Sequence, residues 1–344
     1  MRPLTFENHP KQIQTLLAAA LEAANPEEAV AKHLKRDGHW LTIGSHTLQL
    51  GNGRLFILGI GKAAVPMVQA ALDIVGETAV AGGGIITKSL PEKERLPLPA
   101  YEADHPVPGA KSVAATTAVL SPLTNLTPDD LVLCLISGGA SALFTQPLLP
   151  LAGWQQLNQA LLASGCPIQP FNIVRGQLDA VKAGGLAQMA APASAISLIL
   201  SDVVGSDLAA IGSGPTVASR ATPAEALAVL HQYGILEQME TAVCQTILAT
   251  LEAPASTPQA QPNNIIDNLI IGSVQQSAEA AAGQAAALGF HTRLLTTRLE
   301  GEAREAGRFA AALAKDAPPQ RSTIPGGETT VTLRGNGIGG RNLE

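Results

Sequence analysis

The chain has 344 residues, about two domains at roughly 150 residues each, and is 46% hydrophobic but only 3% aromatic, so Ala, Leu, Val and Ile must build its core. Charged residues make up 15%, below the roughly 25% of an average globular chain, which excludes a disordered polyelectrolyte. A net charge of −6 excludes a general electrostatic attraction to nucleic acid or an anionic membrane and leaves room only for a local basic pocket.

The first ~40 residues read as helical. Ile13–Ala24 is Ala/Leu-rich, and Asn25-Pro26 opens a second segment with proline at a helix-start position. After Gly51-Asn52-Gly53 the texture changes. Arg54–Gly59 is a short apolar strand, followed by a helix over 62–75, a strand over 79–87, a third over 131–136 and a fourth over 196–200. Helices are expected over 154–164, 172–190 and 223–233. Continuous apolar strands separated by helices are buried on both faces, the signature of a parallel α/β sheet. A linker rich in proline and polar residues, Ala253–Asn264, precedes strand 265–271, helix 273–288, strand 292–297, helix 301–315 and an alternating strand over 329–333. The expected architecture is two α/β domains: residues 1–255 with a Rossmann-like parallel sheet, and 256–344 as the beginning of a second, smaller one. The chain stops in a glycine-rich loop, Gly335–Glu344, that runs into a helix start, which reads as a fragment of a longer protein.

Three well-separated cysteines, Cys134, Cys166 and Cys244, suit neither a disulfide framework nor a zinc site and read as buried free thiols. The opening MRPLTFENHPKQIQ has no apolar core of a secretory signal, and no apolar run approaches the ~20 residues of a membrane span, so a cytoplasmic location is expected.

Ligands of open α/β sheets bind beyond the carboxyl ends of strands. Gly59-Ile60-Gly61-Lys62 stands at one such end. It lacks the first glycine and the hydroxyl of a Walker A loop and fits the dinucleotide pattern only loosely, since no acidic ribose ligand follows about 20 residues on. An ammonium at a helix start is misplaced for the helix and suits a phosphate or carboxylate, the alternative being a solvated lysine. Ser137-Gly138-Gly139-Ala140-Ser141 follows the third strand; its glycines let N–H groups approach an anion and its two hydroxyls can donate, unless the glycines serve only a tight turn. Asp202, directly after the fourth strand, is placed to bind Mg²⁺ or accept a proton, whereas Asp207 fits a helix cap. A fourth group is Gly327-Glu328 together with Arg341-Asn342, where Arg341 offers a bidentate guanidinium. His105, in Asp104-His105-Pro106-Val107-Pro108, reads as a rigid-turn residue rather than a catalytic base.

Gly59–Ala64, the Asp-His-Pro-Val-Pro run, Ser137–Leu143, Asn172–Ala187, Ser201–Thr216 and Gly327–Glu344 occur in the order of one family, and the chain resembles the glycerate 2-kinases with a MOFRL C-terminal domain, often labelled hydroxypyruvate reductase. The resemblance implies a two-domain α/β enzyme that phosphorylates D-glycerate with ATP and Mg²⁺, giving 2-phosphoglycerate in an interdomain cleft. It matches Lys62, Asp202 and Arg341 to the family's active-site lysine, aspartate and arginine, with Asp202 toward the magnesium. Gly59, Gly61, Ser137, Gly138, Gly139, Ser141, Gly327, Glu328 and Asn342 would bind nucleotide or substrate. It leaves a homodimer open. Two departures stand out: Lys182-Ala183-Gly184-Gly185-Leu186-Ala187 lacks an arginine usual in the family, and Leu343 replaces a glutamine. The rival readings are an NAD(P)H-dependent hydroxypyruvate reductase and an inactive fragment.

Overall fold

The computed structural model describes residues 11–51, 53–91, 96, 98–253 and 263–332. Helices α1 (Lys11–Ala23) and α2 (Pro26–His33) open the chain. The Asn25 side chain caps α2, accepting from the N–H groups of Glu27 at 2.9 Å and Glu28 at 3.0 Å. From Leu34 onward the helical expectation fails. Strands β1 (Leu34–Asp37), β2 (Trp40–Ile43) and β3 (His46–Gln49) form an antiparallel meander. Its two-residue loops begin at Gly38 and Gly44, which hold φ of +57° and +60°, and it buries Leu34, Leu41 and Ile43. Two glycines at hairpin spacing outweigh the helical texture around them.

The next elements contain the strands expected over 54–59, 79–87 and 131–136 and the helices expected over 62–75 and 154–164, and add a short strand over 100–102 and helices over 110–120 and 140–143 that the sequence reading lacks. They are β4 (Leu55–Ile60), α3 (Ala64–Val75), β5 (Val80–Thr87), β6 (Ala100–Glu102), α4 (Ala110–Leu120), β7 (Leu131–Ile136), α5 (Ala140–Leu143) and α6 (Leu151–Ala163). Every residue of β4 and β7 is buried, as apolar runs covered on both faces should be. The helix expected over 172–190 is two helices, α7 (Ile168–Leu178) and α8 (Gly185–Ala190). The break is made by Asp179, whose carboxylate accepts from the Thr145 hydroxyl, from the Gln146 N–H at 3.0 Å and from the Val181 N–H at 3.1 Å. Then follow β8 (Ser194–Ser201), α9 (Pro223–Gln232), α10 (Thr241–Glu252) and β9 (Ile265–Ser273). Helix α9 begins on a reciprocal cap between Thr222 and Glu225.

The large sheet runs β6-β5-β4-β7-β8-β9, and the pairs β6/β5, β5/β4, β4/β7 and β7/β8 are parallel. Starting at β4, the chain winds outward through β5 and β6, then returns to the other side of β4 and winds outward through β7, β8 and β9. The strand order therefore reverses between β4 and β7, which is the topological switch point. Strand 265–271, expected to open the C-terminal domain, is instead the edge of this sheet.

The remaining elements are α11 (Val274–Ala287), β10 (His291–Leu299), α12 (Ala303–Asp316) and β11 (Arg321–Gly327), with β10 and β11 parallel. The strand expected at 329–333 is absent among the described residues: only Thr330 bridges, to Glu302, and residue 333 lies outside them. The strand stands earlier, where Pro325 obscures it; a proline is tolerated on an edge. The described residues form two compact units, one of Val30–Ile199 and Leu208–Ile271, the other of the N-terminal helix, Leu200–Asp207 and the part from Gly272 onward. All three cysteines are free, and only Cys134 is fully buried, which pushes its thiol up to about 12. No helix among the described residues is long and apolar enough to cross a membrane.

One ion pair fastens the amino ends of the two central strands. Buried Asp130 accepts from the Arg54 N–H at 2.7 Å, the Arg54 Nη2 at 2.7 Å and the Thr127 N–H at 2.8 Å. The Arg54 hydrogen bonds hold the Asp130 carboxyl well below the usual carboxylate range, although burial opposes them. A depressed folded-state pKa contributes stability that is present above about pH 4 and lost as pH falls below it. Asp130→Asn is expected to lower the Tm at pH 7 and to flatten its decline between pH 5 and 3. Parallel melting curves for variant and wild type over that range would expose the pair as irrelevant.

Candidate active site at the switch point

Because Ile60 stands opposite Ile136, the loops after β4 and β7 leave the sheet side by side. They are sewn together by Ser137 N–H to Ile60 O at 2.8 Å, Lys62 N–H to Gly138 O at 2.9 Å and Ala63 N–H to Ser137 Oγ at 3.0 Å. Gly61 is required here: its φ is +128°, and a Cβ would stand 2.5 Å from the Ser137 carbonyl oxygen. The Lys62 backbone is thus fixed while its side chain is exposed.

Gly139 has a different reason for lacking a side chain. Its φ is +88°, and the point a Cβ would occupy lies 3.2 Å from Lys62 Cε and 3.3 Å from His105 Cδ2. The space above Gly139 is filled by two cationic or ionisable side chains rather than by backbone. Among the described residues no acceptor is recorded for the N–H groups of Gly138 and Gly139, which leaves both as donors at the strand end.

The other sequence candidates divide in role. Gly59 is buried inside β4, where a Cβ would meet Val68 Cγ2 at 2.5 Å, so it serves strand–helix packing. The hydroxyls expected to reach a ligand have protein partners: Ser137 Oγ accepts from Ala63, and Ser141 Oγ lies 3.0 Å from Ser213 Oγ, which donates to Asn172 Oδ1 at 2.9 Å. Below the loop stands Lys182, fully buried. Its ammonium donates to the carbonyls of Ser141 at 2.9 Å and of Phe144, and reaches Gly212 O at 3.5 Å. Burial pushes this ammonium down to about 8, opposed by Asp179 and aided by Arg175. Arg175, also buried, is pushed down to about 10; its Nε donates to Asn158 Oδ1 at 2.9 Å and its guanidinium stacks on Phe171. Sequence reasoning gave these two cations no role; the segment between Asp179 and Gly185, with an acid three residues before a lysine, was the available signal.

Asp202 belongs to the other unit. It is exposed and follows β8 directly, and a turn over Val204–Ser206 succeeds it. In the same unit a Cβ on Gly205, whose φ is +75°, would stand 3.8 Å from the Arg298 guanidinium on β10. Gly327 and Glu328 lie beside the next residue of that strand: a Cβ on Gly327 would meet Leu299 N at 2.5 Å, and Glu328 N–H donates to Leu299 O at 2.9 Å. Arg298 is a cation that its alternating strand gave no reason to single out. Arg341 and Asn342 lie outside the described residues.

A six-stranded sheet whose winding reverses at a lysine and a glycine loop places the chain among α/β proteins with a ligand crevice at strand ends. The family described as "Domain of unknown function (DUF4147)" matches residues 12–248. The D-glycerate 2-kinase of Thermotoga maritima is 36% identical over 96% of this chain and 76% of its own length. A relative from Agrobacterium vitis that carries a hydroxypyruvate reductase name is 38% identical over 85% of this chain and 77% of its own. The crystal structure of the Thermotoga maritima glycerate kinase shares the fold with a TM-score of 0.77, at 36% identity over 96% of this chain and 77% of that one. The chain belongs to the glycerate kinase family.

Proposed function

We propose that this chain is a glycerate 2-kinase that transfers the γ-phosphoryl group of ATP, with Mg²⁺, to the 2-hydroxyl of D-glycerate. The observation that carries this reading is the pair of loops at the switch point, with the Lys62 side chain against Gly139 and two N–H donors beside it. Phosphoryl transfer asks little covalent chemistry of a protein and much positioning and charge stabilisation, which such an arrangement supplies.

ATP with its Mg²⁺ provides the transferable group and an electrophilic phosphorus. Among the described residues no three His, Cys, Asp or Glu side chains gather to hold a metal ion. That fits Mg²⁺, which needs only one or two protein carboxylates when phosphates and water complete its shell. Exposed Asp202 is the carboxylate proposed for it; the same charge suits it to take the proton of the attacking hydroxyl. Lys62 and the Gly138 and Gly139 N–H groups hold phosphate charge. Gly61 keeps their loop in place, and Gly327, Glu328, Arg341 and Asn342 are proposed to meet the substrate, with Arg341 clamping its carboxylate.

The reductase reading lacks its ribose ligand. A dinucleotide site needs an acid at the end of the strand next to β4, and that strand, β5, ends in Thr87 followed by Lys88. The test is ADP release measured with D-glycerate and Mg²⁺, beside NADH oxidation with hydroxypyruvate in the absence of ATP. Glycerate-dependent ADP and no NADH oxidation is the expected result, and the reverse pattern overturns the proposal.

A further inference from the structure

His105 stands in the loop between β6 and α4, at the carboxyl end of the sheet, and reads from sequence as a turn residue. Hydrogen bonds of its neighbours help to close this turn. Ala103 N–H donates to Thr87 O at 2.9 Å, Asp104 N–H to Ser112 Oγ at 3.1 Å, and Lys111 N–H to Asp104 Oδ2 at 3.0 Å. The imidazole itself, half-buried, reaches toward the glycine loop. Its Cδ2 and the Lys62 Cε lie 3.3 Å and 3.2 Å from one point above Gly139. Three loops, after β4, β6 and β7, thus bring one lysine side chain, one imidazole and two N–H donors to the switch point.

We propose that His105 is a second anion-binding side chain of this site, donating a hydrogen bond to the same oxyanion that Lys62 attracts. The oxyanion is a phosphate of the nucleotide or the carboxylate of the hydroxyacid. Gly139 then has a role beyond its turn: any Cβ there would press on both side chains at once. The identity of the anions rests on the kinase reading; the presence of the anion site does not.

Inorganic pyrophosphate serves as a probe independent of turnover. In the full chain, pyrophosphate binding by calorimetry is expected to weaken at least about tenfold in His105→Ala, the loss of one hydrogen bond to a charged group, with the Tm within a few degrees of wild type. His105→Asn, which keeps an amide donor, is expected to recover part of the loss. The KM values distinguish the sources: a rise for ATP alone marks the phosphate, and a rise for D-glycerate alone marks the carboxylate. Wild-type protein supplies a readout that needs no variant to fold, since saturating pyrophosphate should slow carbethoxylation of His105, read by peptide mass, at least about tenfold. Unchanged modification of His105, or pyrophosphate affinity and both KM values within about twofold of wild type in His105→Ala, overturns the inference. Wild-type protein that fails to bind pyrophosphate overturns it as well. A chain that protects His105 with pyrophosphate but releases no ADP with D-glycerate keeps the anion site and sinks the kinase reading alone.

Discussion

Lys62→Ala is expected to lower kcat/KM for D-glycerate phosphorylation by at least about 100-fold while leaving the Tm within a few degrees. The stability half follows from where the residue is tied. The bond that fixes position 62 is its backbone N–H to Gly138 O at 2.9 Å, which alanine retains, and the side chain is exposed. The activity half follows from charge. Removing one preorganised donor from a site that stabilises developing negative charge typically removes about 10²–10³-fold in rate. Lys62→Arg keeps the charge but replaces a compact ammonium with a planar fork beside His105, so an intermediate rate is expected. Steady-state kinetics with melting curves decide it. Near-normal turnover of a folded Lys62→Ala protein would show an ordinary solvated lysine.

The second large effect is expected at Asp202. Asn keeps the size of the side chain and much of its hydrogen bonding but removes the charge that Mg²⁺ or a departing proton requires. As caps, Asp and Asn are nearly equal, so a purely structural carboxylate would tolerate the change within about 1 kcal/mol. Asp202 is exposed and follows directly on β8, so its side chain is not part of a packed core. Asp202→Asn is therefore expected to keep its Tm and lose at least about 100-fold in kcat, the lower bound for losing general-base help. Near-normal turnover in a folded Asp202→Asn protein would remove Asp202 from the chemistry and direct attention to Glu328.

Strands β4 and β7 were legible because burial on both faces writes an unbroken apolar run that few other elements produce, and β8 because only Ser197 interrupts its apolar stretch 195–200. The meander over 34–49 was not, because its short strands carry mixed polarity and its only clear signal is two glycines at hairpin spacing. Lys62 and the Ser137–Ser141 loop were legible as strand-end glycine loops. Their adjacency was not, since sequence spacing does not reveal that β4 pairs with β7 rather than lying strands away. The place of His105 was not legible for a related reason: a lone histidine between Asp104 and Pro106 carries every local mark of a turn, and only the folded chain brings its ring close to Gly139. Lys182 hid behind its residue type, because a lysine is expected in water and this one supplies donors to carbonyls of two separate loops.

The position of the new phosphate ester tests the central claim most directly. After incubation with ATP, Mg²⁺ and D-glycerate, the ³¹P spectrum of the product, recorded without proton decoupling, counts the hydrogens on the carbon that bears the ester. A phosphate on the 2-hydroxyl sees one such hydrogen and gives a doublet, the predicted result. A triplet, from the two hydrogens beside the 3-hydroxyl, or no glycerate-dependent ester signal at all, would contradict it.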